Sequence, residues 1–211
     1  MQLQGSCDDA PLDGALPLQQ HKVVLVVDLV ESVRLMASNE AAVVERWQGF
    51  MRFASKCVPD HRGRLVKSLG DGLLAEFDRP GRAVAAALEL QRGFDAINAV
   101  CPPEERLLLR AGLNAAPLFV DHNDVYGHGV NVAARVASLA QPGETLVTDS
   151  VRDGMVDRLD ADLTDLGLRY VKHLSEPLRV YRVGPPQPGM PASHNSDVAL
   201  PIKPTVAVLP F

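Results

Sequence analysis

Lys22-Val-Val-Leu-Val-Val-Asp28 and Lys67-Ser-Leu-Gly70-Asp71-Gly72-Leu-Leu-Ala-Glu-Phe77 are the two stretches on which the fold turns. The first is short, β-branched and apolar, the pattern of a buried strand, and it ends on a carboxylate. The second reads as two strands, about 63–69 and 72–78, joined through turn glycines of the kind hairpins prefer. It too carries a carboxylate at the turn. Carboxylates placed where strands give way to turns can meet at one end of a sheet and hold two divalent metals. Two such ions about 3.5–4 Å apart are a recurring device for displacement at phosphorus. Each residue also has a plainer reading: Asp28 as a helix cap, Asp71 as a turn residue.

Working outward, a helix is expected at roughly 39–58. Val43, Val44, Trp47, Phe50, Met51 and Ala54 share one face, with Glu45, Arg46, Gln48 and Arg52 opposite. Pro59 ends it. A second helix, about 80–100, begins near Pro80 and stops at Pro102-Pro103. Leu107 to Asn114 reads as a strand, and Leu118 to Val120, after Pro117, as its neighbour. A third helix opens at Gly127 or Gly129, runs to Leu139 and closes at Pro142-Gly143. Further strands are expected at 145–148, 162–174 and 178–183. Strands and helices interleave and some strands form hairpins, so the fold class is α+β, a sheet with helices packed on it.

The 211 residues suit one large domain with tails. Hydrophobic content of 46% allows a full-sized core. The net charge is −5 and no Lys/Arg cluster occurs, which argues against a nucleic-acid partner but not against a nucleotide ligand. Three cysteines, Cys7, Cys57 and Cys101, match no metal spacing and point to a reducing compartment. No stretch reaches the roughly 18 apolar residues of a membrane span, and the start lacks a secretory pattern. The expectation is a cytoplasmic protein with no membrane segment. Residues 1–20 read as a flexible tail and 21–184 as the main domain. Residues 185–204 form a proline-rich linker. Residues 205–211, Thr-Val-Ala-Val-Leu-Pro-Phe, look like the first strand of a further, truncated C-terminal domain.

Other polar groups suit a nucleotide. Lys67 is either a solvated strand-end lysine or a donor to a purine ring nitrogen. In the second case a carboxylate such as Asp124 accepts from an exocyclic amine. Such a Lys/Asp pair fits adenine, which offers an acceptor at N1 and a donor at N6. Strand parity places Lys67 and Asp71 on one face unless the turn intervenes. Asn131 and Arg135 stand four apart on one helical face. They are either surface residues or a ribose-positioning amide and a guanidinium that stabilises charge on a reacting phosphate. His128, between two glycines, reads as a loop or capping residue. His61 and His173 have no partners at ligand spacing. There is no Walker loop or Gly-x-Gly-x-x-Gly fingerprint.

Together these residues resemble a class III nucleotide cyclase catalytic domain, of the adenylate type, from about Lys22 to Val183. The motifs are Asp28 at its strand end, Lys67 to Phe77, Arg110-Ala-Gly-Leu-Asn114, Val125-Tyr-Gly-His-Gly-Val-Asn131-Val-Ala-Ala-Arg135, and Leu178-Arg-Val-Tyr-Arg-Val183. The resemblance implies a ferredoxin-like fold with a central, mostly antiparallel sheet and packed helices. It implies metal binding by Asp28 and Asp71, with two ions, Mg2+ or Mn2+. It implies adenine selection by Lys67 and Asp124, ribose orientation by Asn131, transition-state stabilisation by Arg135 and a phosphate contact from Lys172. The implied reaction converts ATP to 3′,5′-cyclic AMP and pyrophosphate. The implied assembly is a homodimer, with the aspartates from one subunit and the other groups from its partner. The final residues resemble the opening of a translocation-protein-like or tetratricopeptide-linked module that follows such domains in bacterial proteins.

The chain departs from the family pattern in three places. The turn after Asp28, usually glycine followed by a small hydroxyl residue, reads Leu29-Val-Glu31-Ser-Val33 and brings a negative charge toward the phosphates. Ala115-Ala116-Pro117 replaces a common Gly-Asp pair, and His128 stands where Asp is frequent. The alternative that these departures leave is a catalytically weak or inactive nucleotide-binding regulatory module.

Overall fold

The computed structural model describes residues 18–184 except 69, 156–160, 172, 173 and 175. The expected linker and C-terminal stub, and most of the N-terminal tail, lie outside the described residues. So do Lys172 and His173.

The described strands are β1 (Leu18–Leu29), β2 (Gly63–Ser68), β3 (Gly72–Phe77), β4 (Leu109–Val120), β5 (Val125–Tyr126), β6 (Thr145–Thr148), β7 (Asp162–Arg169) and β8 (Leu178–Gly184). The helices are α1 (Ser32–Asp60), α2 (Pro80–Asn98), α3 (His128–Leu139) and α4 (Asp149–Asp153). The strands form one sheet in the order β2-β3-β1-β4-β6-β8-β7, with β5 paired to β4. The segment β1-α1-β2-β3-α2-β4 supplies the antiparallel order β2-β3-β1-β4. That is the expected ferredoxin-like arrangement. The β4–β6 pair is parallel, and β6–β8 and β7–β8 are antiparallel.

β1 reads as an unbroken apolar run because both of its faces are covered. Val23, Leu25 and Val27 pack into the main core with Val43, Phe50 and Ala54 of α1 and Val84, Leu90 and Phe94 of α2. Val24 and Val26 face the other way, onto Ala133 and Ala137 of α3. Burying one such side chain contributes about 1.5–3 kcal/mol relative to exposure. The middle of β1 is therefore strongly held. α3 lies unusually close to β4. A Cβ at Gly112 would sit 2.5 Å from the Ala133 carbonyl oxygen and 2.7 Å from the Ala137 Cα. Only glycine allows that approach. Buried Asn114 pins the start of α3, its amide donating to the Gly129 carbonyl at 3.1 Å.

Several boundaries differ from expectation. β1 begins at Leu18, inside the expected tail, because residues 18–22 pair with 116–120 of β4. α1 begins at Ser32 rather than 39. At Asn39 the helix breaks (φ −156°, ψ 79°), and the Asn39 side chain accepts from the Ala42 N–H at 3.2 Å. Asn39 thus caps the longer segment, and that start signal hid the turn before it. Pro59 does not end the helix, which runs to Asp60. Residues 107–114 and 118–120 are not two strands but parts of one, β4. Pro117 falls between the stretches paired to β6 and to β5, where that edge has no partner, the setting in which a strand tolerates proline. β7 ends at Arg169 rather than 174. β5 and α4, two and five residues long, are too short to show a period.

Candidate active site

The pairing of β1 with its two neighbours gathers the carboxylates. Asp28 lies opposite Gly72 of β3 on one side and opposite Arg110 of β4 on the other. The β2–β3 turn places Asp71 one residue before Gly72, with Gly70 in the left-handed region at φ 80°. The Leu29 N–H donates to the Asp71 carbonyl at 3.0 Å, so the two aspartates share one end of the sheet. Arg110 donates Nε–H and Nη2–H to Asp28 Oδ2 at 2.9 and 2.5 Å. The buried Ser32 hydroxyl, first in α1, donates to Asp71 Oδ2. The donor set is hard oxygen, half-exposed and not neutralised beyond one guanidinium, which fits Mg2+ or Mn2+.

A second cluster forms above the α3 face of the sheet. Lys67 Nζ pairs with Asp124 Oδ2 at 2.5 Å. The Asp124 carboxyl is held below the usual carboxylate range, chiefly by the Lys67 hydrogen bond, with help from the Val125 N–H. The loop that carries it is braced. Asp121 Oδ1 accepts from the Asn123 and Asp124 N–H groups at 2.7 Å each. Arg64 donates to the His122 and Asp124 carbonyls at 2.9 and 3.4 Å and pairs with the buried Glu76 at 2.8 Å.

Lys67 and Asp71 serve different groups: β2 ends at Ser68, and the turn intervenes before Asp71, the exception that the parity argument allowed. A register shift between Leu65 and Lys67 interrupts the β2–β3 ladder, and a bulge of this kind re-aims the following side chain. Lys67 therefore reaches Asp124, while Asp71 turns to Ser32. Asn131 and Arg135 lie on the exposed side of α3, whose other face buries Val132, Ala133, Val136 and Ala137. Neither side chain has a hydrogen bond or ion pair among the described residues. His128 is the first residue of α3, as a helix-start reading required. Among the described residues no bond joins the Asp28/Asp71 cluster to the Lys67/Asp124 cluster.

The model of the adenylate and guanylate cyclase catalytic domain matches residues 18–182. The chain belongs to that family. A putative adenylate cyclase 3 of Rhizobium meliloti is 34% identical over 197 residues, covering 89% of this chain and 33% of that protein. An adenylate cyclase of Glutamicibacter nicotianae is 34% identical over 146 residues, covering 66% of this chain and 33% of that protein. The chain therefore spans about a third of the length of these relatives. The crystal structure of an adenylate/guanylate cyclase/hydrolase from Silicibacter pomeroyi superposes with a TM-score of 0.73 at 34% identity, covering 80% of this chain and 98% of that one. The guanylyl cyclase Cya2 superposes with a TM-score of 0.71 at 19% identity, covering 83% and 97%. The fold thus serves both nucleotide types, and selectivity must be argued from side chains.

In this cyclase-family domain, two contacts were hidden from sequence reading. Arg110 stands in a quoted motif, yet its contact with Asp28 crosses 82 positions and needs the β1–β4 register to be seen. The role of Arg64 as a brace needs the 121–124 loop in place. Glu31, the departure in the turn after Asp28, adopts φ 55°, the left-handed conformation that glycine takes freely. Its carboxylate pairs with Arg34 at 2.6 Å, which offsets part of its charge. No described helix is long and apolar enough to cross a membrane.

Proposed function

We propose that this domain is an adenylate cyclase, converting ATP to 3′,5′-cyclic AMP and pyrophosphate in a site shared between two copies of the chain. The observation that carries the choice of ATP is the Lys67–Asp124 pair. It presents a donor and an acceptor side by side, matching adenine N1 and N6. Guanine would face the reverse pattern, and a site built to hydrogen-bond one pattern leaves buried polar groups unpaired with the other.

Asp28 and Asp71 are the residues that would hold two divalent ions, which supply activation of the 3′-hydroxyl and charge neutralisation on the triphosphate. The 3′-oxygen bonds to the α-phosphorus, the bond to the pyrophosphate oxygen breaks, and the hydroxyl proton leaves to water or substrate. Ser32 and Arg110 fix the aspartate carboxylates in the resting protein. Asn131 orients the ribose. Arg135 faces the negative charge that builds on the transferring phosphate, a stabilisation realised mainly in the transition state. Lys172 is the proposed contact to the terminal phosphates. The exposed Asn131 and Arg135 side chains, without a bond among the described residues, support completion of each site by a partner chain.

The test is cyclic nucleotide production from ATP and from GTP, with Mg2+ and then Mn2+, over a range of protein concentration. Cyclic AMP rising faster than linearly with protein is expected. Cyclic GMP as main product would overturn the adenine assignment. A second reading, a regulatory module with little turnover, is favoured by Glu31 at the phosphate turn. It predicts nucleotide binding without product under either metal.

A further inference from the structure

At the end of α1 remote from Ser32, the helix meets α2 and three different ligand types converge. Cys57 Sγ, a nitrogen of His61 and a carboxylate oxygen of Glu89 all lie within 4.8 Å of one another. Cys57 and His61 are four apart, on one helical face. The His61 N–H still donates to the Cys57 carbonyl at 3.2 Å, so His61 continues the helical path. Glu89 comes from α2, its Oε2 lying 2.8 Å from His61 Nε2. The cysteine is 2% exposed, whereas the histidine and glutamate side chains are partly open to water. The cysteine sulfur has a long contact, 4.0 Å, to the Ala86 carbonyl, and Glu89 also acts on it as a side-chain hydrogen-bond partner.

Burial pushes the Cys57 thiol up to about 12, and the charges of Glu89 and Asp60 push the same way, with only Arg92 opposing them. An ordinary His–Glu ion pair over a buried small residue explains two of the three groups. The sulfur, within 4.8 Å of both groups, adds a third ligand type to that pair.

We propose that Cys57, His61 and Glu89 bind a zinc-like divalent transition metal, distinct in chemistry from the ions expected at Asp28 and Asp71. Zinc takes sulfur, imidazole nitrogen and carboxylate oxygen at about 2.0–2.3 Å in tetrahedral sites. The three ligand atoms need only draw together around the ion, and a water completes the fourth position on the open side. Binding forms a metal–sulfur bond and releases the thiol proton to solvent, with no change of oxidation state. Hard Mg2+ has no preference for thiolate, so the two sites sort their ions by ligand type. The ion would tie the end of α1 to α2, on the helical layer that covers Val23, Leu25 and Val27. Cysteine spacing gave no hint of this, because the ligands are three residue types drawn from two helices.

The test uses the full chain, stripped with chelator and titrated with Co2+. A thiolate-to-cobalt charge-transfer band is expected, displaced by Zn2+ but not by Mg2+. It should vanish in Cys57→Ser and persist in Cys7→Ser and Cys101→Ser. Zn2+ should raise the Tm of the wild type, and that rise should be lost in His61→Gln and in Glu89→Gln. No band in the wild type, or a band surviving Cys57→Ser, overturns the proposal. If Cys57→Ser fails to fold, the two variants at partly exposed positions decide: unchanged cobalt affinity in both overturns it equally.

Discussion

At one end of the sheet Asp28 and Asp71 are already held, by Arg110 and by Ser32, whereas Asn131 and Arg135 on α3 make no side-chain bond within the described chain. The two regions are built from different material. The carboxylates sit at the ends of strands whose neighbours are fixed by register, so their partners come from α1 and β4. The α3 donors stand on a helix docked hard against β4 through Gly112, Ala133 and Ala137, with their own face left open. Neighbouring negative charges need partners to coexist in the resting fold. Uncommitted donors held on a rigid helix are prepared for charge that arrives from outside. The difference therefore separates what this chain satisfies alone from the donors that the proposed reading leaves for substrate and a second copy.

The strongest way to break that comparison is at Asp71. Asp71→Ala should lower turnover by at least on the order of 10²–10³-fold, the scale of losing one electrostatic stabiliser of the transition state, and the dimer should remain folded. Its backbone contact with Leu29 survives the change. Activity retained within a few-fold, measured as cyclic AMP per chain, would remove Asp71 from the metal site.

Mixing sharpens it next. Asp28→Ala and Arg135→Ala chains are each expected to be inactive alone. Combined in equal amounts they should recover roughly a quarter of wild-type turnover, since half the dimers then carry one intact site of two. A mixture that stays inactive while exchange of subunits is demonstrated would place the carboxylates and the α3 donors in one chain's site.

The Lys67–Asp124 pair belongs to neither extreme: it is satisfied within the chain, yet it is offered as the adenine reader. Lys67→Met should reduce the kcat/KM preference for ATP over GTP by roughly 10–100-fold, since a hydrogen bond to a charged group is worth about 1.5–3 kcal/mol. It should also raise the Asp124 pKa, because Lys67 is the main cause of its depression. The sign follows from linkage. A carboxylate with a depressed folded pKa contributes stability that is present above its unfolded value, near 3.9, and is lost as pH falls through the folded value. Carbon-13 NMR titration of the Asp124 carboxylate should show its midpoint moving up in Lys67→Met. An unmoved midpoint would mean that the ion pair is absent in solution.

How far the sequence carried these conclusions depended on the range of the interaction. The buried strands were legible because apolar runs such as Val23–Val27 report burial locally. Asp28 was legible as a candidate because it closes such a run, and Asp71 because it sits between turn glycines where two strands meet. The continuity of β4 was not, since Pro117 breaks a ladder only where a partner strand exists. The start of α1 was masked by Asn39, whose side-chain cap is a true start signal inside a longer helix. Parity left the facing of Lys67 and Asp71 to the turn, which does intervene; that Lys67 reaches Asp124 depends on the register shift after Leu65, which nothing local marks. Arg110 failed because its meaning lies in pairing across the sheet.

The smallest expected effect tests whether the phosphate-side turn is a defect or a compensated substitution. Glu31 in the left-handed region costs about 1–2 kcal/mol. Glycine there would remove that cost but give back about 0.5–1 kcal/mol through its freer unfolded chain. It would also lose the exposed Arg34 pair, worth about 0–1 kcal/mol. These nearly cancel, so Glu31→Gly should shift Tm little. Its charge is another matter. Removing a carboxylate beside a bound triphosphate should lower the KM for ATP by roughly two- to fivefold, since unit charges about 4 Å apart in water interact by about 1 kcal/mol and Arg34 already offsets part of it. Glu31→Gln separates the two causes. It keeps the backbone strain and removes the charge, so an equal fall in KM in both variants assigns the effect to charge. A KM unchanged in both would mean that the Glu31–Arg34 pair keeps the acid from acting on substrate, and that the turn departs from its family pattern without consequence for binding.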